Sequence, residues 1–364
     1  MRVVIAPDKF AGTLTAVEAA DAIAEGWRRT APDAELVKVP MSDGGPGFVS
    51  VLHEVLGGEL LATRVTGAYG DPTPAALLKV GDTAYVESAQ AIGLHLTDRR
   101  DPMVATSAGV GELVGHAVDS GARRILVGLG GSATNDGGAG LLAALGAQST
   151  PEGALTGGPA GLEGLQAVDL APARARVRDV ELVAATDVDH MLLGLVGATK
   201  TFGPQKGLTE EQLLTVDGRL QRLAELTDRK LANEKGTGAA GGLGFALMLL
   251  GARRQPGVEL VAEAVDLPGT AKGADLLITG EGAFDFSSRA GKVPYGVAEV
   301  AVNALAPCIV LAGRVQIGAR ETRAIGVESA YSLTELVGEE RALQQPREAL
   351  ADLAARVART WSRE

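Results

Sequence analysis

The chain has 364 residues, more than one hydrophobic core usually serves, so two domains are expected. A net charge of −11 with no basic stripe argues against nucleic acid or an anionic membrane as partner, and 46% apolar residues with only 3% aromatics favour close-packed α/β layers. The single cysteine, Cys308, forms no internal disulfide and reads as a buried apolar residue in the run CIVLA. The apolar run of MRVVIAPD is too short for a signal peptide, and no stretch approaches ~18 uninterrupted apolar residues, so a cytoplasmic protein, monomer or homodimer, is expected.

Val3–Ala6 reads as a buried strand followed by the loop PDKFAGTL. Thr15 then opens a helix, with Glu18 three residues later as its capping box, and Leu36–Val39 is a second strand. The second strand runs into a glycine-rich loop, PMSDGGPG (Pro40–Gly47). Between residues 60 and 90, LLATRVTG, AALLKV and TAYVES read as short strands of an antiparallel or mixed sheet. Ala108–Asp119 reads as a helix and Ile125–Val127 as a strand; residues 148–180 read as irregular, and Glu181–Ala185 as a strand entering TDVDH. GATKTFGPQKG reads as a loop before an amphipathic helix with a capping box at Thr209 and Gln212 and a face of Leu213, Leu220, Leu223 and Leu226. A glycine run, Gly236–Gly244, precedes another apolar helix. Ala274–Gly280, Cys308–Gly313 and Ala324–Ser329 read as three more strands that join the first two in one doubly wound sheet. The expected fold is thus α/β: a discontinuous doubly wound parallel-sheet domain (residues 1–60 and 270–364) with a large inserted second α/β domain (residues 61–269), the active cleft lying between them.

The most informative stretch is residues 125–145, ILVGLGGSATNDGGAGLLAAL. A strand, a glycine-dense turn and a helix N-terminus present backbone N–H groups suited to a phosphate. Ser132, Thr134, Asn135 and Asp136 add more side-chain oxygen than a bare anion cradle needs, which points to chemistry as well as binding. Gly128, Gly130 and Ala133 fit the dinucleotide fingerprint, but the acidic residue it requires about 20 residues on is replaced by the loop-like GAQSTPEG. The Walker pattern is absent; Gly291-Lys292 comes nearest, but Val293 follows. The alternative for these glycines is a tight turn with no ligand.

Loops combining Gly with an acid or a lysine recur at 7–13, 42–47, 130–138, 203–207 and 280–292. Acids after strands suit Mg²⁺ or base work and lysines suit phosphate or carboxylate, the inventory of phosphoryl transfer. For any single Asp, turn or cap formation is the competing reading; Asp71 and Asp101, each before Pro, are best read as turns. The histidines His53, His95, His116 and His190 lack metal-ligand spacing, and no G-x-S-x-G elbow occurs. His190, after Asp187 and Asp189, is a candidate to touch ligand.

Taken in order, APDKFAGTLTA, PMSDGGPG, ESAQAIGL, TSAGVGEL, GLGGSATNDGGAG, TFGPQKG, GAAGGLG and ITGEGAFDFSSRAGKVPYGVA resemble the type I glycerate kinase family from residue 6 to about residue 313. GGSATNDGG and FGPQKG are the most specific of them. The resemblance implies ATP-dependent phosphorylation of D-glycerate with Mg²⁺, commonly to 2-phosphoglycerate, in a cleft between two α/β domains. It nominates Gly130, Gly131, Ser132, Thr134, Asn135 and Asp136 for the active cleft through GGSATNDGG. Asp8 and Lys9 follow from PDKF, Asp43 from DGG, Asp187 from TDV, and Glu281, Asp285 and Lys292 from the GEG-to-GK stretch. A glycerate carboxylate needs a cation, from Lys9 or Lys206. Asp187 is the expected proton acceptor, with Asp43 and Lys9 beside it in the catalytic set. Asp43 and Asp136 are expected at Mg²⁺ or the substrate hydroxyls, Lys292 at phosphates, and His190 at the substrate.

This chain departs from the family pattern at several of these loops. Ala11 stands where a second lysine is usual, Pro46 where Glu is usual, and Phe48 where Thr is usual. TDVDHMLLG replaces the usual Cys-Asp-Val and Asn-Pro-Leu; Asp101 replaces Asn, and Ser287 replaces Gln. Three readings follow: a kinase for D-glycerate or another small hydroxy acid, a catalytically silent ligand-binding relative, or, on Gly128-x-Gly130-x-x-Ala133 alone, a nicotinamide-dependent oxidoreductase.

Overall fold

The structure is a computed structural model that describes residues 1–10, 12–286 and 291–362; Ala11 and Ser287 therefore lie outside the described residues. The chain divides into two units, one of residues 1–43, 50–56 and 257–364, the other of residues 44–49 and 57–256.

The first unit is built on a five-stranded sheet in the spatial order Ser329–Ser332, Cys308–Val315, Leu276–Phe284, Arg2–Ile5, Glu35–Lys38. Every pairing is parallel. Numbered along the chain this is the doubly wound order 2-1-3-4-5, whose switch point falls between Arg2–Ile5 and Leu276–Phe284. Val3, Val4, Ile5, Leu276, Leu277 and Ile278 are all fully buried, as central parallel strands covered on both faces must be. The helix Ala16–Thr30 starts at the capping box read from the sequence: Thr15 Oγ1 accepts from the Glu18 amide, and Glu18 accepts from the Thr15 amide at 2.8 Å. It packs on the helix Pro346–Trp361 through Gly26, where a Cβ would collide with the Ala351 carbonyl.

Two readings in and beside this unit are corrected. The last strand is Ser329–Ser332 rather than Ala324–Ser329, because Ala324 closes a helix, Ala319–Ala324, and Gly326 turns the chain at φ +84° before the strand begins. A helix at Phe48–Leu56, absent from the sequence reading, follows the second glycine-rich loop.

The second unit carries a six-stranded sheet in the order Arg253–Gln255, Glu181–Ala185, Arg124–Gly128, Thr83–Glu87, Pro72–Val80, Glu59–Thr66. The first four are mutually parallel and the last two antiparallel, so the hairpin-like strands of residues 60–90 form one flank of a mixed sheet. The helix Ala108–Asp119 and the strand Glu181–Ala185 fall where the sequence places them. Residues 148–180 are more regular than expected, with a strand pair Gln148–Thr150 and Ala167–Asp169 and helices Gly158–Gly161 and Ala171–Val177.

A larger correction concerns GATKTFGPQKG. It is not a loop but the helix Ala198–Lys206, which contains Pro204 and is closed by Gly207 at φ +108°. Pro204 has no N–H to give to the carbonyl four residues back, so the helix tolerates one missing bond near its end, and Gly207 closes it. Gly203 lies against the side chains of Leu208 and Leu213 with no room for a Cβ. The next helix, Glu210–Leu226, has the Thr209–Gln212 capping box and buries Val216, Leu220, Leu223 and Ala224. Each unit has its own apolar cluster, including Cys308's neighbours Ile309 and Leu311 in the first and Leu141, Leu142 and Phe245 in the second. Cys308 itself is buried. Among the described residues no helix is long and apolar enough to cross a membrane.

Candidate active site

In the second unit, the carboxyl ends of the parallel strands release the chain at Glu87, Gly128, Ala185 and Gln255. Gly128 must lack a Cβ because the Phe48 ring and the Gly44 carbonyl occupy its place, and Gly130 faces Gly45 Cα as closely. Pro46 in turn abuts Gly131. Phe48 is fully buried and stacks edge-on against Tyr85, with ring centroids 6.1 Å apart, so this departure is a packing feature. Glu87, unmarked in the sequence reading, is nearly buried and accepts from the Gly47 and Val49 amides at 3.1 Å each, tying GGPG to the sheet.

The loop after Gly128 is held from within. Asp136 is fully buried, and its carboxylate accepts from Ser107 N at 2.9 Å, Ser107 Oγ at 2.8 Å, Gly138 N at 3.0 Å and Gly140 N at 3.1 Å. Ser107 Oγ takes the Leu141 amide at 3.0 Å. Burial pushes the Asp136 carboxyl above its ordinary range, and the four donors oppose that shift. The Gly138 and Gly140 amides at the start of the helix Ala139–Ala144 thus meet the Asp136 carboxylate, and four protein donors surround its oxygens.

Lys206, at the last turn of Ala198–Lys206, is 2% exposed. Its Nζ donates to Thr134 O at 2.6 Å and to Ser132 Oγ at 3.1 Å. Burial lowers it to about 7, while the charge of Asp136 acts in the opposite direction. Asn135 Nδ2 donates to Thr199 Oγ1 at 2.9 Å, whereas Asn135 Oδ1 and Thr134 Oγ1 are buried with no hydrogen-bond partner among the described residues. Gly241 presses on Thr134 O and Asn135 Cα, and its carbonyl accepts from Gly137 N at 3.0 Å.

Asp187 follows Glu181–Ala185 and is half-buried. Asp189 faces outward and pairs with Arg254 at 2.6 Å and Lys235 at 2.8 Å; the Lys235 hydrogen bond and the Arg254 charge hold its carboxyl below the usual range. His190 packs edge-on against Phe202, with ring centroids 4.9 Å apart, and its Nδ1 is buried without a partner among the described residues.

The first unit gathers the other nominated residues at the switch point of its sheet. Asp8 follows Arg2–Ile5, and its amide donates to Gly280 O at 2.8 Å, beside Glu281 in Leu276–Phe284. Lys9 Nζ lies 3.4 Å from Asp43 Oδ1 and 3.6 Å from Asp8 Oδ1; Lys292 Nζ lies 3.6 Å from Glu281 Oε2. Burial, then the charge of Asp43, raises Asp8 to about 7; Glu281 adds to this and Lys9 opposes it. Burial lowers Lys9, but Asp43 and Asp8 outweigh it and hold the ammonium above its usual range. Asp285, half-buried, follows the same strand as Glu281. Among the described residues no group of three or more His, Cys, Asp or Glu is arranged to hold a metal alone.

Acid–lysine clusters and a hydroxyl- and glycine-rich loop at the carboxyl ends of parallel strands are features of an α/β enzyme acting on small anionic molecules. The family follows from comparison with known proteins. The sequence model of the glycerate kinase family matches residues 3–362, and the chain belongs to that family of phosphotransferases. It is 40% identical to a glycerate kinase of Bacillus subtilis (strain 168), over 92% of this chain and 90% of that one. It is equally, 40%, identical to a glycerate 2-kinase of Escherichia coli (strain K12), over 93% and 92% of the two chains. A crystal structure from Salmonella typhimurium LT2, assigned as glycerate kinase 2, superposes with a TM-score of 0.85 at 39% identity, covering 100% of this chain and 98% of that one.

Proposed function

We propose that this chain transfers the γ-phosphoryl group of ATP to D-glycerate, and that the product is 2-phosphoglycerate. The observation that carries the reading is the family match over residues 3–362 together with the nominated loops at strand ends. The relative in Escherichia coli named glycerate 2-kinase supports the position of transfer. The nicotinamide reading fails on the same ground, since Gly128 and Gly130 are spent on contacts with Gly44, Phe48 and Gly45.

Phosphoryl transfer needs positioning, charge neutralisation and one acceptor for the hydroxyl proton. Asp187 is assigned the proton, as a half-buried carboxylate at a strand end. Asp8, raised to about 7, is the second candidate, because a base works best with its pKa near the operating pH. Lys9 and Lys292 supply cations for carboxylate or phosphate oxygens. Mg²⁺ uses hard oxygens and keeps water and substrate phosphates in its shell, so one or two carboxylates suffice and a full protein cage is not needed. Asp43 fits that role, with Glu281 or Asp285 beside it in the acid set; Asp136 does not. When bound, the ion neutralises charge on the phosphates.

³¹P NMR of the protein with Mg·ATP and D-glycerate tests the reading. A growing phosphomonoester whose coupling marks C2 supports it; a C3 ester corrects the position, and no ester with ATP bound favours a silent relative. In the same assay Asp187→Asn lowers kcat about 100-fold or more with ATP binding retained. An unchanged kcat moves the base role to Asp8.

A further inference from the structure

Lys206 is the least expected charge in the second unit. Its ammonium is almost completely buried, and no carboxylate lies within ion-pair distance of it among the described residues. Its partners are neutral: the Ser132 hydroxyl and the Thr134 carbonyl. Packing does not explain it, since a methionine of similar length fills such a space without the desolvation cost of an ammonium. The nearest compensating charge, Asp136, has its oxygens engaged by four other donors. The Lys206 amino group therefore lies against the Gly130–Asn135 loop with no ion-pair partner of its own, and burial disfavours its charge until an anion is present.

The hydrogen-bond directions add to this. Ser132 Oγ accepts from Lys206, so the hydroxyl's own proton is turned away from the ammonium and is polarised by it. Thr134 O is held by Lys206, and Gly241 packs beside it where a Cβ would collide with that oxygen. In that shape Thr134 Oγ1, a hydroxyl able to donate, is left buried and without partner among the described residues, as polar groups are at sites completed by a ligand or water.

We propose that Lys206 is a positioning residue that makes this loop an anion site: it presents the Ser132 hydroxyl as donor to an anionic oxygen and supplies the balancing positive charge from behind. The anion is a carboxylate or a phosphate. The inference rests on the proposed ATP–glycerate reading for its two candidate sources, the carboxylate of D-glycerate and the phosphates of ATP.

Calorimetric titration of Mg·ATP and of D-glycerate into the wild type, Lys206→Met and Ser132→Ala tests it, with each variant's melting temperature measured alongside. Lys206→Met is expected to weaken one ligand at least about tenfold and leave the other within about twofold, and Ser132→Ala to weaken that same ligand. The ligand affected identifies the source. Propylammonium is expected to restore part of the lost affinity in Lys206→Ala, a rescue that a purely structural residue does not show. Unchanged affinity for both ligands, equal loss of both, or a wild type that binds neither overturns the inference. Should Lys206→Met fail to fold, Ser132→Ala decides alone. The proposed function fails separately, if the wild type binds ligand but forms no phosphoglycerate.

Discussion

Two carboxylates of this chain, Asp136 and Asp8, have opposite jobs although each stands in a loop that leaves a parallel strand. Asp136 is a structural anion: four donors converge on it, and no neutral side chain reproduces that acceptor set. Asp136→Asn turns an amide NH₂ toward donors and is expected to cost about 3 kcal/mol or more, read from urea unfolding midpoints. A loss below about 1 kcal/mol would show that the network contributes little. Asp8 is the reverse case, a buried carboxylate crowded by Asp43 and Glu281 and only partly relieved by Lys9. Its pKa is about 7 in the fold against 3.8 as the ordinary value, so the native state holds the proton longer than the unfolded chain does. The stability linked to that proton is fully present below the lower value and is lost as pH rises through the higher one. Asp8→Asn removes the penalty, so in metal-free buffer its melting temperature should exceed the wild type's by more near about pH 8 than near about pH 5. An equal difference at both pH values would remove the titration from the account.

Among the elements, those whose signal is local and periodic were legible. Thr15–Glu18 and Thr209–Gln212 mark helix starts because a cap is a contact between residues three apart, and Glu181–Ala185 is legible as an apolar run between loops. The failures have more than one cause. Pro204 and Gly207 look like breakers, yet the helix Ala198–Lys206 carries the proline inside it and ends only at Gly207. Nothing local in the sequence shows that the Gly138 and Gly140 amides meet the Asp136 carboxylate, or that Ser107, 29 residues earlier, meets it too. Of the site, the loops were legible as strand-end glycine motifs, but which oxygen faces a ligand and which faces the protein was not. Glu87 was missed because its work, capping Gly47 and Val49 from 38 to 40 residues away, leaves no local pattern. The same nonlocal logic governs Gly26. A methyl group there meets the Ala351 backbone, so Gly26→Ala should lower stability by about 1–3 kcal/mol although alanine favours a helix. A thermal scan showing the variant more stable than the wild type would mean the helices Ala16–Thr30 and Pro346–Trp361 yield freely.

At the scale of the whole molecule, the two units differ in how the chain supplies them. The first unit needs both ends of the sequence, because Arg2–Ile5 pairs on one side with Glu35–Lys38 and on the other with Leu276–Phe284. The second unit takes all six strands and its whole apolar cluster from residues 59 to 255, and its glycine-rich anchor from residues 44–49. Continuity of chain favours independent folding, since no strand of that sheet waits for a distant segment and loop closure is correspondingly short. A fragment of residues 44–256 should therefore fold alone, with cooperative urea unfolding and dispersed amide NMR signals. A fragment of residues 1–56 should not, because its central strand lacks the neighbour at Leu276–Phe284 and an isolated pair of parallel strands is unstable. Should the 44–256 fragment prove unfolded, the second unit would be a unit of geometry but not of stability, and its loop, Lys206 included, would take its shape only in the full chain.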